Sequence, residues 1–157
     1  MWDVAFSIAS IFIAFLAGVA IANLITGVPL GQDKEYIGTF WTLVNPYTVL
    51  VGITTVALFM MHGSIYGVMK TEGELQKKLR SWVNNTIKFF IISYLITTLA
   101  TLIYYPHMIR HFKEFPALFV LAVLNMLAIA NIPREISKGR DFLAFLSSCA
   151  SIAALLS

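Results

Sequence analysis

A single histidine lies well inside an uncharged, apolar stretch of this sequence. The stretch covers 46–69 and is opened by Asn45 as a predicted N-cap with Pro46 at the first helical position. His62 precedes the next charged residue, Lys70, by eight positions. A helix would therefore place the imidazole about 12 Å from that boundary. An ionisable side chain inside a membrane span marks a candidate functional site, and the chemistry open to it is proton relay, ligation of a haem iron, or a neutral hydrogen bond to another helix.

The other residues that could carry chemistry are few. His107 and His111 are spaced i,i+4 beside Pro106, but two ligands do not make a metal site, so we predict no metal. The single cysteine, Cys149, cannot form an intrachain disulfide. The sequence contains no nucleotide-binding glycine loop and no Ser/His/Asp or Cys/His nucleophile pattern, so we expect no catalytic residue in this chain.

Two further sets of residues are expected to join helices. Asn23 is, with His62, a candidate for a proton path or an interhelical polar contact. Small residues at four-residue spacing let neighbouring helices approach closely. The predicted packing residues are Ser10, Ala14, Gly18 and Ala22 in one segment, and Gly63 and Gly67 in another.

The elements that must position these side chains are membrane helices. The 157 residues are 59% hydrophobic and 12% charged, whereas soluble domains average about 25% charged residues. A span needs roughly 20 apolar residues, so the chain has room for about five spans and no sizeable soluble domain. We predict an all-α polytopic bundle in which 1–157 is one transmembrane region. The predicted spans cover about 4–27, 46–69, 82–105, 115–133 and 142–157.

The fifth span is still apolar where the sequence stops at Ser157, and the first begins with almost no polar lead-in. We therefore expect the chain to be a piece of a longer protein. The alternative is an assembly or anchor protein that is complete at this length and has no redox role.

The positive charges indicate the orientation. Four Lys or Arg residues lie in the connection at 70–81 and three in the connection at 134–141, against three in the other two connections together. The positive-inside rule then places these two connections and the N-terminus in the cytoplasm. The basic residues behind the net charge of +3 lie mostly in these connections and do not form one continuous basic face. We therefore expect no nucleic-acid partner.

Aromatic residues cluster at the connection on the opposite side. Tyr36, Phe40, Trp41 and Tyr47 are typical of a belt at the headgroup level. The alternative is a lid over a quinone or a lipid headgroup.

Several strings in the first half of the chain suggest a family. They are GVAIANLITGVP at 18–29, LVNPYTVLVG at 43–52, His-Gly at 62–63 and KTEGEL at 70–75. In order and spacing they resemble subunit II of the cytochrome bd quinol oxidases. Past Arg80 the likeness is one of hydropathy, and the chain is similar to the middle five helices of a subunit that has eight or nine.

The resemblance implies a complex of the prokaryotic plasma membrane that oxidises quinol, passes electrons through haems to O₂, and takes protons from the cytoplasm. It places haems b and d and the quinol site on the partner, subunit I, and assigns no cofactor to this chain. Subunit II is expected to scaffold subunit I, to support proton or oxygen access, and to contact membrane lipid and a structural quinone. His62 matches the His-Gly motif, without a ligand role.

A different class of protein is also compatible with these residues. In a multispanning transporter, Asn23, His62 and Asn125 would line a solute path.

Overall fold

The computed structural model describes residues 2–29, 33, 35–105 and 116–156, and no β-strand occurs among them. The predicted all-α class is confirmed. The helices are α1 (Trp2–Thr26), α2 (Phe40–Leu43), α3 (Pro46–Lys70), α4 (Gly73–Tyr104), α5 (Pro116–Ser137) and α6 (Asp141–Leu156).

Three of the described helices, α1, α3 and α4, are long and apolar enough to cross a membrane. They contain 25, 25 and 32 residues. α4 begins nine residues before the predicted third span, since the residues that precede Trp82 are polar helix formers such as Gln76 and Lys77 that extend the helix toward water. α5 and α6 coincide with the fourth and fifth predicted segments, and their crossing of the membrane stays a prediction.

Side-chain capping explains where α3 begins. The Asn45 side-chain oxygen accepts a hydrogen bond from the Thr48 amide at 2.9 Å, and the Thr48 hydroxyl accepts one from the Asn45 amide at 3.0 Å. These reciprocal bonds satisfy amides that have no partner within the helix. The predicted N-cap is confirmed, with Pro46 at the first helical position, where its missing N–H costs nothing.

A glycine turn joins α5 to α6. Gly139 has φ +69°, a conformation that glycine adopts without a steric penalty. The Arg140 amide donates to the Glu135 carbonyl at 3.0 Å, and the Gly139 amide donates to the Ile136 carbonyl at 3.1 Å. This Schellman pattern satisfies the last carbonyls of α5 and turns the chain directly into α6.

The described residues belong to two compact units. The first comprises the described residues of Met1–Ala57 together with Ser93–Tyr105, and the second comprises Leu58–Ile92 with the described residues of Pro106–Ser157. In the first unit, the Thr54 hydroxyl on α3 lies 2.7 Å from the Thr97 hydroxyl on α4. In the second unit the buried apolar core is formed by Met61, Ile65, Val68, Val83, Ile87, Phe90, Ile132 and Ala144.

Candidate functional site

His62 lies in the second unit, on α3, and contacts α6. Its Nδ1 atom is 2.9 Å from the Ser148 hydroxyl oxygen. The Phe145 ring stacks on the imidazole, with 5.0 Å between ring centroids and 29° between planes. The histidine is half-buried. One nitrogen and one ring face of this predicted site residue are therefore engaged by two residues one turn apart on α6.

Serines on α6 supply polar partners to the helices around it. Ser148 and Ser151 are fully buried. The Ser151 hydroxyl donates to the Asn125 amide oxygen on α5 at 2.9 Å, and the Asn131 amide donates to the Ser147 hydroxyl at 3.0 Å. Polar groups buried between helices need such partners, because no water is available there to form the hydrogen bonds instead.

These serines were missed by the sequence reasoning. The signal that identifies them is Ser-Ser-x-x-Ser at 147–151 in an otherwise apolar segment, a spacing that places Ser148 and Ser151 on one face of a helix.

Asn23 lies in the first unit and is buried. Its side-chain amide donates to the Val19 carbonyl on its own helix and to the Leu43 carbonyl at the end of α2, both at 2.8 Å. Leu43 is therefore held to α1 through its backbone. The side-chain amide of Asn23 therefore makes one hydrogen bond within α1 and one that joins α1 to α2.

The small residues on α1 divide into a buried and an exposed part. Gly18 faces α3, where an added Cβ would lie 2.8 Å from the Gly52 Cα atom, and Ala22 is also buried. Ala14 is partly exposed and Ser10 is exposed, with its hydroxyl donating to the Phe6 carbonyl at 2.8 Å. The buried part of the predicted stripe is therefore its second half, Gly18 and Ala22.

The two glycines on α3 also differ. A Cβ on Gly67 would lie 3.1 Å from the Leu79 Cδ1 atom on α4, so this glycine permits a close approach. Gly63 is exposed, and within the described part of the chain no atom lies within 4 Å of its Cβ position.

An arginine in the second unit connects three helices. Arg80 on α4 lies 2.5 Å through Nη2 from the Asp141 carboxylate on α6, and its Nη1 donates to the Ile136 carbonyl on α5 at 3.4 Å. Nearby, Glu135 is buried, and its Oε2 atom lies 3.8 Å from the Arg140 guanidinium. The sequence reasoning counted these charges only as loop charges.

Two clefts are open at the surface. One in the first unit has a volume of about 360 Å³, and one in the second unit about 530 Å³. The first is lined by Asn45, Pro46, Tyr47, Leu50, Ala100, Tyr104 and Tyr105. The second is lined by Leu127, Ala128, Ala130, Asn131 and Arg134. The ring centroids of Tyr47 and Tyr105, which both line the first cleft, are 4.7 Å apart. The Tyr47 hydroxyl lies 3.0 Å from the hydroxyl of Thr101, which does not line the cleft.

Among the described residues, no three His, Cys, Asp or Glu side chains come together to form a metal site, and His62 is the one histidine. They therefore do not supply a pair of axial histidines for a haem. The pair His107 and His111 lies outside the described residues.

Three apolar helices long enough to span a bilayer, two of which are joined by the contact between the Thr54 and Thr97 hydroxyls, define a polytopic α-helical membrane protein. The family is more specific. Residues 1–157 match the family described as cytochrome bd terminal oxidase subunit II, and the chain belongs to that family. The resemblance found in the sequence is confirmed.

Individual relatives match part of the chain. It is 36% identical over 85 residues to cytochrome bd-I ubiquinol oxidase subunit 2 of Escherichia coli (strain K12), covering 52% of this chain and 22% of that protein. It is 29% identical over 80 residues to cytochrome bd ubiquinol oxidase subunit 2 of Bacillus subtilis (strain 168), covering 51% of this chain and 24% of that protein. The chain thus spans about a quarter or less of the length of these curated relatives.

Proposed function

We propose that this chain is part of the subunit II of a cytochrome bd-type quinol:O₂ oxidoreductase in a prokaryotic plasma membrane. The observation that carries the proposal is the family match over residues 1–157. The names of the Escherichia coli and Bacillus subtilis relatives state ubiquinol oxidase activity. In this reaction two quinols are oxidised for each O₂ reduced to two waters, and the chain takes part through its complex and not alone.

The chain's own contribution is to scaffold the haem-bearing subunit I. The haems supply the electron transfer and O₂ chemistry when bound, and the described residues contain no second histidine that could pair with His62 as an axial ligand. They offer apolar helix faces instead, since large side chains along α1 such as Phe6, Ile13 and Leu24 are exposed. Such faces contact lipid or a neighbouring subunit, because water would not solvate them within a bilayer.

Its second contribution is to support proton access through His62. The imidazole is the one histidine in the apolar stretch of α3, and it lies about two turns from the Lys70 end, which the loop charges assign to the cytoplasm. A group at this depth accepts a proton from the cytoplasmic side and releases it toward a neighbouring acceptor. The N-terminus of the chain lies on the same, cytoplasmic side in this arrangement.

A structural quinone or a lipid fits the cleft beside Tyr47. Three tyrosines, Tyr47, Tyr104 and Tyr105, line this cleft, and their rings and hydroxyl groups suit an apolar ring or chain with a polar head. It lies at the start of α3, at the level where the sequence predicts the outer headgroup belt.

The experiment that tests the proposal is purification of the parent complex through the full-length subunit. We expect haem absorbance and quinol-dependent O₂ consumption from the purified complex. Absence of both, with intact subunit I present, contradicts the proposal. Solute flux in proteoliposomes that contain no haem protein would favour the alternative function as a multispanning transporter. A product of this chain that is stable without subunit I would favour the alternative function as an assembly or anchor protein.

A further inference from the structure

The Ser148 hydroxyl has two polar neighbours and one hydrogen to donate. Its oxygen lies 2.7 Å from the Phe145 carbonyl oxygen and 2.9 Å from the His62 Nδ1 atom. Ser148 is fully buried, so water does not reach this hydroxyl to provide a third partner. The hydrogen must therefore be assigned between these two neighbours.

Hydrogen-bond chemistry decides the assignment. A carbonyl oxygen only accepts, whereas an imidazole nitrogen donates or accepts according to its tautomer. If the serine hydrogen pointed to His62, two acceptor oxygens would face each other at 2.7 Å with no hydrogen between them. If it points to Phe145, the serine oxygen still has lone pairs for an N–H of the histidine, and both short contacts become hydrogen bonds.

We infer that Ser148 is a positioning residue that holds His62 in the Nδ1–H tautomer and leaves Nε2 as its basic nitrogen. Protonation and deprotonation of the imidazole then involve Nε2 alone, and the bond to Ser148 persists in both states. The hydrogen on Nδ1 comes from the neutral imidazole itself, so no other reactant is needed.

Phe145 fixes the plane of the ring. It stacks on the imidazole and also contacts Tyr66, with 5.8 Å between those ring centroids. Tilting this ring would break the stacking on Phe145, and turning it over would break the bond to Ser148. Nε2 therefore keeps one direction, as a proton-transferring atom requires. Only this use of Nε2 rests on the proposed function; the tautomer does not.

α6 provides a matched control for Ser148. Ser151 is one turn away and equally buried, but its hydroxyl donates to Asn125 and not to His62. Ser148→Ala and Ser151→Ala thus remove the same atom from the same helix, and only the first removes a partner of the histidine.

The test is solid-state NMR of the full-length subunit, in the complex with which it purifies, after labelling with ¹³C,¹⁵N-histidine. The His62 signals are identified by their loss in His62→Gln, and nitrogen–carbon correlations show which nitrogen carries the hydrogen. We expect hydrogen on Nδ1 and none on Nε2 of neutral His62, retention of this pattern in Ser151→Ala, and its loss in Ser148→Ala.

Two results would overturn the inference. One is hydrogen on Nε2 in the wild-type protein, and the other is an unchanged pattern in Ser148→Ala. If Ser148→Ala does not assemble, the wild-type spectrum alone still decides the tautomer. A complex without haem or quinol oxidation would contradict the proposed function while leaving this measurement valid.

Discussion

The guanidinium of Arg80 lies 2.5 Å from the carboxylate of Asp141, a residue 61 positions further along the chain. The same guanidinium donates to the last turn of α5 through the Ile136 carbonyl. A cation at a helix C-terminus and an anion at a helix N-terminus both interact favourably with the helix dipoles. Arg80 thus holds the end of α5 and the start of α6 against α4.

Removing this arginine should destabilise the second unit. We expect Arg80→Ala to lower the free energy of unfolding by about 1.5–3 kcal/mol, the usual range for a hydrogen bond to a charged group. Thermal unfolding of the purified complex measures the change. Lys77→Ala is the control, because the Lys77–Glu74 pair is 76% and 90% exposed and exposed pairs contribute little. Equal losses in the two variants would show that the Arg80 contacts add nothing.

The contact between Gly18 and Gly52 should not tolerate a side chain. A Cβ at position 18 would lie 2.8 Å from the Gly52 Cα atom, so α1 must move away from α3. We expect Gly18→Ala to cost about 1–3 kcal/mol, as overpacking typically does. Ala20→Val on the exposed face of the same helix is the control. The yield of folded subunit after detergent extraction compares them, and a yield of Gly18→Ala equal to that of the control would refute the close approach.

Asn23 should stabilise the first unit through its bond to α2. Asn23→Ala removes both amide hydrogen bonds, and one of them joins separate helices. We expect a loss of roughly 0.6–2 kcal/mol, as for other polar contacts between membrane helices. Ser10→Ala is the control, since the Ser10 hydroxyl is exposed and bonds only within α1. The difference in unfolding temperature between the variants is the measurement, and no difference would contradict a stabilising role.

His62 should affect turnover if it carries protons. We expect His62→Gln to lower quinol-dependent O₂ consumption and proton uptake by on the order of tenfold or more, because loss of an acid–base group is costly. Ser64→Ala, two residues away on α3, removes a hydroxyl that bonds to Thr86 and should leave turnover unchanged. If His62→Gln keeps the turnover and the proton uptake of the wild type across the pH range, His62 has no proton role. Its function would then be the hydrogen bond to Ser148.

The tyrosine cleft should bind less ligand when its wall is removed. Tyr47→Ala takes away the ring that packs on Tyr105, while Tyr47→Phe removes only the hydroxyl bonded to Thr101. We expect Tyr47→Ala to lose most of the quinone or lipid that copurifies with the complex and Tyr47→Phe to retain most of it. Mass spectrometry of the organic extract measures this content. Equal content in Tyr47→Ala and wild type would exclude the cleft as the binding place.

The sequence by itself determined the class of the fold and the family. Inside a bilayer no water is available to bond the backbone, so a long uncharged segment that crosses it must satisfy its own backbone groups and forms a helix. The start of α3 was equally predictable, since a cap bonds to an amide only three residues away, as between Asn45 and Thr48. His62 was identifiable because a titratable group in an apolar stretch is conspicuous.

Only the tertiary structure decided the partners of these residues. His62 meets Ser148 across 86 positions, and Arg80 meets Asp141 across 61. Such pairs depend on how each helix is rotated about its axis and where it crosses its neighbour, and small changes in either separate the atoms. Helix rotation also explains why two glycines in helices differ. Gly18 packs tightly against a neighbouring helix, while Gly63 faces outward. Local spacing places residues on one face of a helix, and packing determines what that face contacts.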